Sequence, residues 1–406
     1  MRALPPLTIA LAFGLVSTAA AQPAPITPNT ATVALVGRLD LERYKATIKG
    51  LTAFGDRLEG TERNRRAVDW IEAQLKSYGC PTERLKYVKA PPAPTQAASA
   101  TTRPAADKTE APPTAVGGGR PRGVRTSTTP NTDSARQADE RLRALNAEPS
   151  VPGPRELVYC TKVGARFPNE MYIVGAHMDG RGFGEAANDD GSGTALVMEL
   201  ARIFSMPDVV TDRTIRFALW NSEEGGLVGA TAYVEQRRAL QGKEDPPGSR
   251  RYPEPTWLGM IQHDMMLFDH GMPRPDGTIS PEQRPEADVN IEFQMVSKQS
   301  LESQKLAWYF HAANAKYATD YPAQVGPHMT NTDSTPFMDA VASISVRENE
   351  RGVQVGSGWD PHWHQPTDLF STFSDKDFRL GLNAAQTTLG AIADLTGAST
   401  RPVARD

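Results

Sequence analysis

Beyond Arg155 the chain settles into an alternation that few architectures satisfy: apolar runs of strand length, separated by segments with helical spacing. Leu157–Lys162 and Met171–His177 read as strands, and Gly193–Phe204 as a helix with Leu196, Val197, Leu200 and Ile203 facing inward. Thr214–Trp220 reads as a strand, Gly226–Leu240 as a helix, Trp257–Met265 and Val289–Val296 as strands, and Leu301–Tyr317 as a helix. A short buried strand at Ala342–Val346 and an amphipathic helix at Asp375–Leu395 close the series. The pattern predicts an α/β fold, a mainly parallel mixed sheet sandwiched by helices. Such sheets place their chemistry outside the carboxyl ends of the strands.

The polar residues follow that rule. YIVGA leads to His177-Met178-Asp179, and Asn188-Asp189-Asp190-Gly191-Ser192-Gly193 opens the next helix. RFALWNS leads to Glu223-Glu224-Gly225-Gly226, LGMIQH leads to Asp264, and Trp363-His364-Gln365-Pro366-Thr367-Asp368 comes late. Imidazole and carboxylate together suit zinc or a similar divalent ion. A two-metal site also needs a carboxylate shared between the ions, which the Asp189-Asp190 pair can supply. His177 and Asp179 are two apart, so on a strand they share a face, and Asp179 can hold the second ring nitrogen of His177. Glu223 and Glu224 diverge as neighbours, so one can ligate metal while the other takes a proton from water. A carboxylate at Asp264, within an apolar run, needs a partner. His263 should point to the opposite face of that strand. His270, His311 and His328 carry no partner pattern, and Met265-Met266 is simplest as core.

The 406 residues divide unevenly. Met1–Ala21 has Arg2, an apolar run from Leu7 to Val16 and Ala19-Ala20-Ala21 before Gln22, the pattern of a signal peptide. That predicts an exported protein, periplasmic or extracellular, with no membrane attachment after cleavage, since no later run reaches about 18 apolar residues. A mature N-terminal segment at 22–35 precedes the main domain at 36–399. Residues 36–79 look helical, with Trp70, Ile71, Leu75 and Tyr78 at helical spacing and Gly79 as a stop; Thr82–Val88 follows as a strand. Residues 90–154, rich in Pro, Ala, Thr and Gly, read as a low-complexity insertion with a short helix around 133–146; 400–406 is a tail. The net charge of −4 makes nucleic acid and anionic membrane surfaces poor first guesses as partners, so none is expected, and Arg120-Pro121-Arg122 is a small cluster in the insertion. The two cysteines exclude a Cys₄ metal site. Export would let Cys80 and Cys160 pair; two buried thiols fit the sequence equally well.

HMD, ANDDGSG, NSEEGGLVG, QHDM and HWHQPTD, in that order, resemble the M28 family of metallopeptidases, which includes zinc aminopeptidases and plasma glutamate carboxypeptidase-like enzymes. DRLEGTERNRRAVDWI from Asp56 resembles that family's early helical region. The resemblance implies a zinc-dependent exopeptidase-like fold, two zinc ions (cobalt or manganese would fit the same donors) and a peptide substrate. It makes His177 and Asp264 ligands of one ion, Glu224 and His364 ligands of the other, and Asp189 the bridge. Glu223 would be the general base, Asp179 would orient His177, and Asp368 would support His364. A cis peptide between Asp189 and Asp190 is also implied.

Two positions depart from the family's pattern. Trp363 stands where many relatives carry Tyr, so Trp363, His362 or a metal ion would be the oxyanion donor. Thr332-Asp333-Ser334 stands where relatives often carry Ser-Asp-His, which keeps Asp333 as a pocket residue without the histidine. The expected activity is aminopeptidase, with carboxypeptidase or dipeptidase action on the same machinery as the nearest alternative. A glutaminyl-cyclase-like acyltransferase or a non-catalytic binding module are more distant ones. Oligomeric state is not legible. No H-E-x-x-H, G-x-S-x-G, P-loop or strand-linked G-x-G-x-x-G occurs.

Overall fold

A computed structural model describes residues 28–88, 134–135, 137–268, 289–327, 331–348, 360 and 362–401. The expected signal peptide, most of the 90–154 stretch, Arg120-Pro121-Arg122, His270, His328 and all but the first two residues of the tail lie outside these. Among the described residues no helix is long and apolar enough to cross a membrane.

The chain begins with α1 (Thr30–Val36), α2 (Leu41–Thr52) and α3 (Glu62–Ser77), then β1 (Thr82–Val88) and the short α4 (Glu140–Asn146). Next come β2 (Pro154–Lys162), β3 (Phe167–His177), α5 (Gly191–Phe204), β4 (Val209–Val210), β5 (Arg213–Trp220) and α6 (Val228–Arg237). The remainder is β6 (Thr256–His263), β7 (Val289–Phe293), α7 (Ser300–Tyr317), β8 (Ala323–Pro327), β9 (Ser343–Arg347), α8 (Asp375–Thr396) and β10 (Ser399–Thr400).

Eight strands form one sheet in the order β1-β2-β5-β3-β6-β9-β7-β8. β5, β3, β6 and β9 run parallel, which brings Trp220, His177, His263 and Arg347 to one edge. β1, β2 and the β7–β8 pair join antiparallel at the flanks. This is the mainly parallel mixed sheet that the alternation predicts. Both faces are covered, so the central strands are apolar on both sides. Val174 and Ala176 of β3 meet a core built with α2, α3, α5 and α8. Met171 and Ile173 meet the opposite core around Trp220, Tyr233, Trp257 and Phe337.

Several boundaries differ from the sequence reading. The 36–79 helical region is two helices, broken where Gly55, Arg57 and Gly60 take positive φ. Residues 30–36 already form α1, where Thr32 Oγ1 donates to Asp394 at 2.6 Å. The end of the expected insertion belongs to the domain: Gln137, Leu142 and Asn146 are buried, and Asn146 Nδ2 donates to the Gly184 carbonyl. β6 stops at His263 because Met265 turns to φ +62°, and β8 has no counterpart in the apolar pattern. Cys80 and Cys160 form a disulfide with Cα atoms 5.6 Å apart, so the thiol alternative is excluded.

His263 does face away from Asp264. Its Nε2 meets Thr388 Oγ1 of α8 at 2.8 Å, and its Nδ1 meets the Gly175 carbonyl at 3.2 Å. The carbonyl can only accept, so Nδ1 carries the proton. Burial pushes this imidazole down to about 4.

Two stability measurements follow from these contacts. The disulfide closes a sequence separation of 80, for which loop-closure entropy gives about 4.5 kcal/mol. Replacing both cysteines by serine should lower the denaturant midpoint accordingly. His263 is neutral in the folded state, whereas an unfolded histidine charges below about pH 6.5. The unfolded chain therefore binds more protons as pH falls from there to about 4, and stability drops by about 3 kcal/mol across that window. Denaturant titrations at pH 7 and 4.5 should show that component missing from His263→Asn.

Candidate active site

The carboxyl edge of the parallel strands holds a cleft of about 380 Å³ lined by residues from every predicted motif, including His177, Asp189, Glu223, Glu224, Asp264 and His364. Its anchor is Asp190, the N-cap of α5. One carboxylate oxygen accepts the backbone N–H of Gly193 (2.9 Å) and of Met265 (3.2 Å), and the other accepts that of His177 (3.1 Å). Asp190 thus ties the start of α5 to the ends of β3 and β6. The Asp189–Asp190 peptide is cis.

Asp189 lies at the centre. His177 Nε2 is 3.2 Å from its Oδ1, and His364 Nε2 is 3.0 Å from its Oδ2. His177 Nε2 is also 3.7 Å from Asp264 Oδ1, and His364 Nε2 is 2.8 Å from Glu224 Oε1. Two donor clusters result, His177–Asp189–Asp264 and Asp189–Glu224–His364, sharing one carboxylate. Ligands bonded at about 2.0–2.1 Å in a tetrahedron sit about 3.3 Å apart, so these spacings fit zinc at either cluster. The electrostatics fit as well. Burial alone would raise the Asp189 carboxyl, but the two imidazoles hold it well below the usual range. Burial opposes charge on His364, yet Glu224 and Asp189 raise it to about 10. Four carboxylates and two imidazoles in a buried space call for cations, and a divalent ion displaces the ring protons.

Glu223 lines the same cleft. Burial, reinforced by Glu224, Asp333 and Asp264, pushes its carboxyl well above the usual range. Its backbone N–H donates to Asp179 Oδ1 (3.1 Å), and that of Glu224 to Asp179 Oδ2 (3.3 Å).

The expected route from Asp179 to His177 changes here. His177 Nδ1 meets the Asp179 carbonyl oxygen at 2.9 Å, while the carboxylate is 3.9 Å away. β3 ends at His177, so the two side chains are not on one pleated face. Asp179 therefore orients His177 through its backbone and the Glu223-Glu224 turn through its side chain. Burial raises its carboxyl to about 7. Asp368 also differs. Its carboxylate accepts the N–H groups of Asn188 (2.8 Å) and Asp189 (3.1 Å), so it holds Asp189 rather than His364. Residues 362–367 form turns, where a spacing of four does not stack side chains.

Trp363 lines the cleft, its ring stacked on His364 with centroids 4.1 Å apart. His362 is not among the cleft-lining residues; its Nδ1 meets Thr367 Oγ1 at 2.9 Å and its ring packs edge-on against Phe373. Asp333 is fully buried, and burial with Asp179, Asp264 and Glu224 nearby pushes its carboxyl well up. His311 packs edge-on against Trp308 on α7. Met265 is more than core, because it lines the cleft.

Sequence reasoning missed three arginines. Arg57, fully buried, donates to the carbonyls of Met178, Glu185 and Ala186 at 2.8 Å each, bracing the loop between His177 and Asp189. Arg347 pairs with Asp264, and Arg181 with Glu224. The last residue of SISVR, a charge closing a buried strand, was the available signal for Arg347.

Fold and site together define an α/β protein whose parallel strands end in a carboxylate–imidazole centre made of two donor clusters that share Asp189. The chain belongs to peptidase family M28, whose profile matches residues 157–386. An aminopeptidase of Pseudomonas aeruginosa is 44% identical over 68 residues, 17% of this chain and 12% of that protein. Carboxypeptidase Q of Xenopus laevis is 37% identical over 73 residues, 18% of this chain and 16% of that protein. The matched stretches are thus small fractions of both relatives. The solved structure of BSAP, a zinc aminopeptidase from Bacillus subtilis, shares the fold with TM-score 0.56 at 14% identity, covering 88% of this chain and 95% of that one.

Asp368→Ala would strip the acceptor from two buried N–H groups beside the shared carboxylate. Zinc affinity, read by chelator competition, should fall by about 10–100-fold.

Proposed function

We propose that this chain is an exported dinuclear zinc exopeptidase that removes residues from the N-terminus of peptides. The observation that carries the reading is the Asp189 carboxylate, with one oxygen beside each imidazole cluster and Glu223 in the same cleft. His177 and Asp264 would hold one ion, Glu224 and His364 the other, and Asp189 both. Bound zinc would act as a Lewis acid on the scissile carbonyl and lower the pKa of water.

Within the chain's own contribution, Glu223 takes the proton from the attacking water and returns it to the leaving amine. Burial pushes its carboxyl up, which favours holding the proton between the two transfers. Asp179 fixes the peptide backbone that aims Glu223. Trp363 lines the cleft, stacked against His364, and is the candidate oxyanion donor among this chain's own residues.

The cleft's charge supports action at the amino end. Arg347 is the one lysine or arginine among the described cleft residues, and Asp264 engages it. A substrate carboxylate finds no free partner of that kind, while a cationic N-terminus meets surplus carboxylate. The carboxypeptidase name of one relative keeps C-terminal cleavage as the second reading. The N-terminal apolar run and the Cys80–Cys160 bridge both support export to an oxidising compartment, periplasmic or extracellular.

Zinc-loaded mature protein incubated with free, N-acetylated and C-amidated peptides, read by mass spectrometry, tests the reading. Stepwise loss from free N-termini alone is expected. Loss from C-termini, or cleavage of dipeptides only, would move the substrate assignment; loss of ammonia from N-terminal glutamine would indicate cyclase chemistry. Glu223→Ala should lower kcat by about 10²–10⁴-fold with metal content intact. Undiminished turnover in that variant would remove Glu223 as the base.

A further inference from the structure

The two terminal carboxylates of the site share a feature that the bridging one lacks. Asp264 turns Oδ1 toward His177, while its Oδ2 accepts the Thr332 hydroxyl at 2.6 Å and the Arg347 guanidinium. Glu224 turns Oε1 toward His364, while its Oε2 lies 3.3 Å from Arg181 Nε; Arg181 also donates to the Glu224 carbonyl. Asp189 divides its two oxygens between the clusters, and among the described residues no arginine pairs with it. Each terminal carboxylate therefore has one oxygen occupied by a fixed cation and one left for the cluster. The shared carboxylate keeps both.

We propose that Arg347 and Arg181 are positioning residues that hold Asp264 and Glu224 as one-oxygen ligands and weaken each cluster's grip on its cation. The inference rests on the dinuclear reading above. At Asp264 the outer oxygen's lone pairs are already directed at the Arg347 N–H and Thr332 O–H donors, which blocks two-oxygen ligation; at Glu224 the Arg181 Nε stands beside the outer oxygen as a charge, without a hydrogen bond. Each guanidinium also withdraws charge from the inner oxygen and places a positive charge near the bound ion. Both effects leave the ion more electron-poor and less tightly held. The two arginines are not equivalent. Arg347 is 3% exposed and Arg181 18% exposed, so solvent screens the second more. Arg347 also faces Glu292 at 4.0 Å and Ser345 at 3.4 Å, which fix it from behind.

A purely structural pair would have the opposite consequence. If Arg347 only kept Asp264 in place, its removal would misalign a ligand and weaken metal binding. On the present inference its removal frees the second oxygen and deletes a repulsive charge, so binding tightens. The sign of the change separates the two.

The test uses the full mature chain as wild type, Arg347→Gln, Arg347→Lys and Arg181→Gln, with zinc affinity by chelator competition and cobalt(II) visible spectra for coordination. Wild type should bind two ions. Arg347→Gln should tighten one of them by about tenfold or more and change the cobalt spectrum. Arg347→Lys should stay near wild type in affinity, and Arg181→Gln should tighten the other ion by a smaller factor. Weaker or unchanged binding in both Gln variants overturns the proposal while leaving the dinuclear reading intact. Unchanged metal affinity with a KM increase in Arg347→Gln would instead make Arg347 a substrate contact. Fewer than two ions on wild type would overturn the dinuclear reading itself, and this inference with it. Arg181 lies at the partly exposed rim, so its variant keeps the question decidable if Arg347→Gln fails to fold.

Discussion

Asp190 takes backbone N–H groups from three separate elements, and the rest of the site is built from that junction. A carboxylate that caps α5 also pins the end of β3 and the first turn beyond β6. His177 and Asp264, which sit at those two ends, are thereby placed relative to Asp189, the residue next to the cap. Thr194 Oγ1 donates to the His177 carbonyl at 2.8 Å and reinforces the same joint from the helix. The parallel order β5-β3-β6-β9 does the remaining work, because it brings four strand ends to one edge without any contact between their sequences.

Charge is the second constraint. Asp179, Asp189, Asp264, Glu223, Glu224 and Asp333 crowd into a space where burial alone would neutralise most of them. The protein answers with arginines of different kinds. Arg347 and Arg181 meet Asp264 and Glu224 directly, while Arg57 meets only carbonyls and lends its charge at a distance, to Asp368, Asp56, Asp190 and Asp179. The imidazoles and, on the proposed reading, two divalent ions supply the rest. Asn64 and Asn221 exchange side-chain hydrogen bonds at 3.0–3.1 Å and carry the same N-terminal bracket to the Glu223-Glu224 turn. The early helices therefore brace the centre although they contribute no donor to it.

Much of this was legible beforehand because two periodicities report it directly. Alternation of apolar strand-length runs with helical spacing predicts the layered sheet, and polar residues just past each run mark the cleft. What failed to read follows from the same cause. Asp179 lies two residues past His177, which implies a shared face only while the strand continues, and β3 ends at His177. Asp368 lies four past His364, which implies proximity only in a helix, and the segment is a series of turns. The break between α2 and α3 is set by residues at positive φ. β8 is a short strand, Ala323–Pro327, whose residues pair with positions of β7 far back in the chain, Val289 with Ala323 and Phe293 with Pro327.

The sequence by itself determined the family, the sheet-and-helix alternation and which residue types gather at the strand ends, because those depend on local pattern and ordered motifs. The tertiary structure decided which oxygen of each carboxylate faces which imidazole, that Asp179 meets His177 through its carbonyl, that Asp368 holds Asp189, and that Arg347 and Arg181 pair with Asp264 and Glu224. Those are relations between side chains brought together from 83 positions apart, as with Arg347 and Asp264, or 43, as with Arg181 and Glu224. No spacing rule spans such separations; only strand order and the geometry of the buried edge set them.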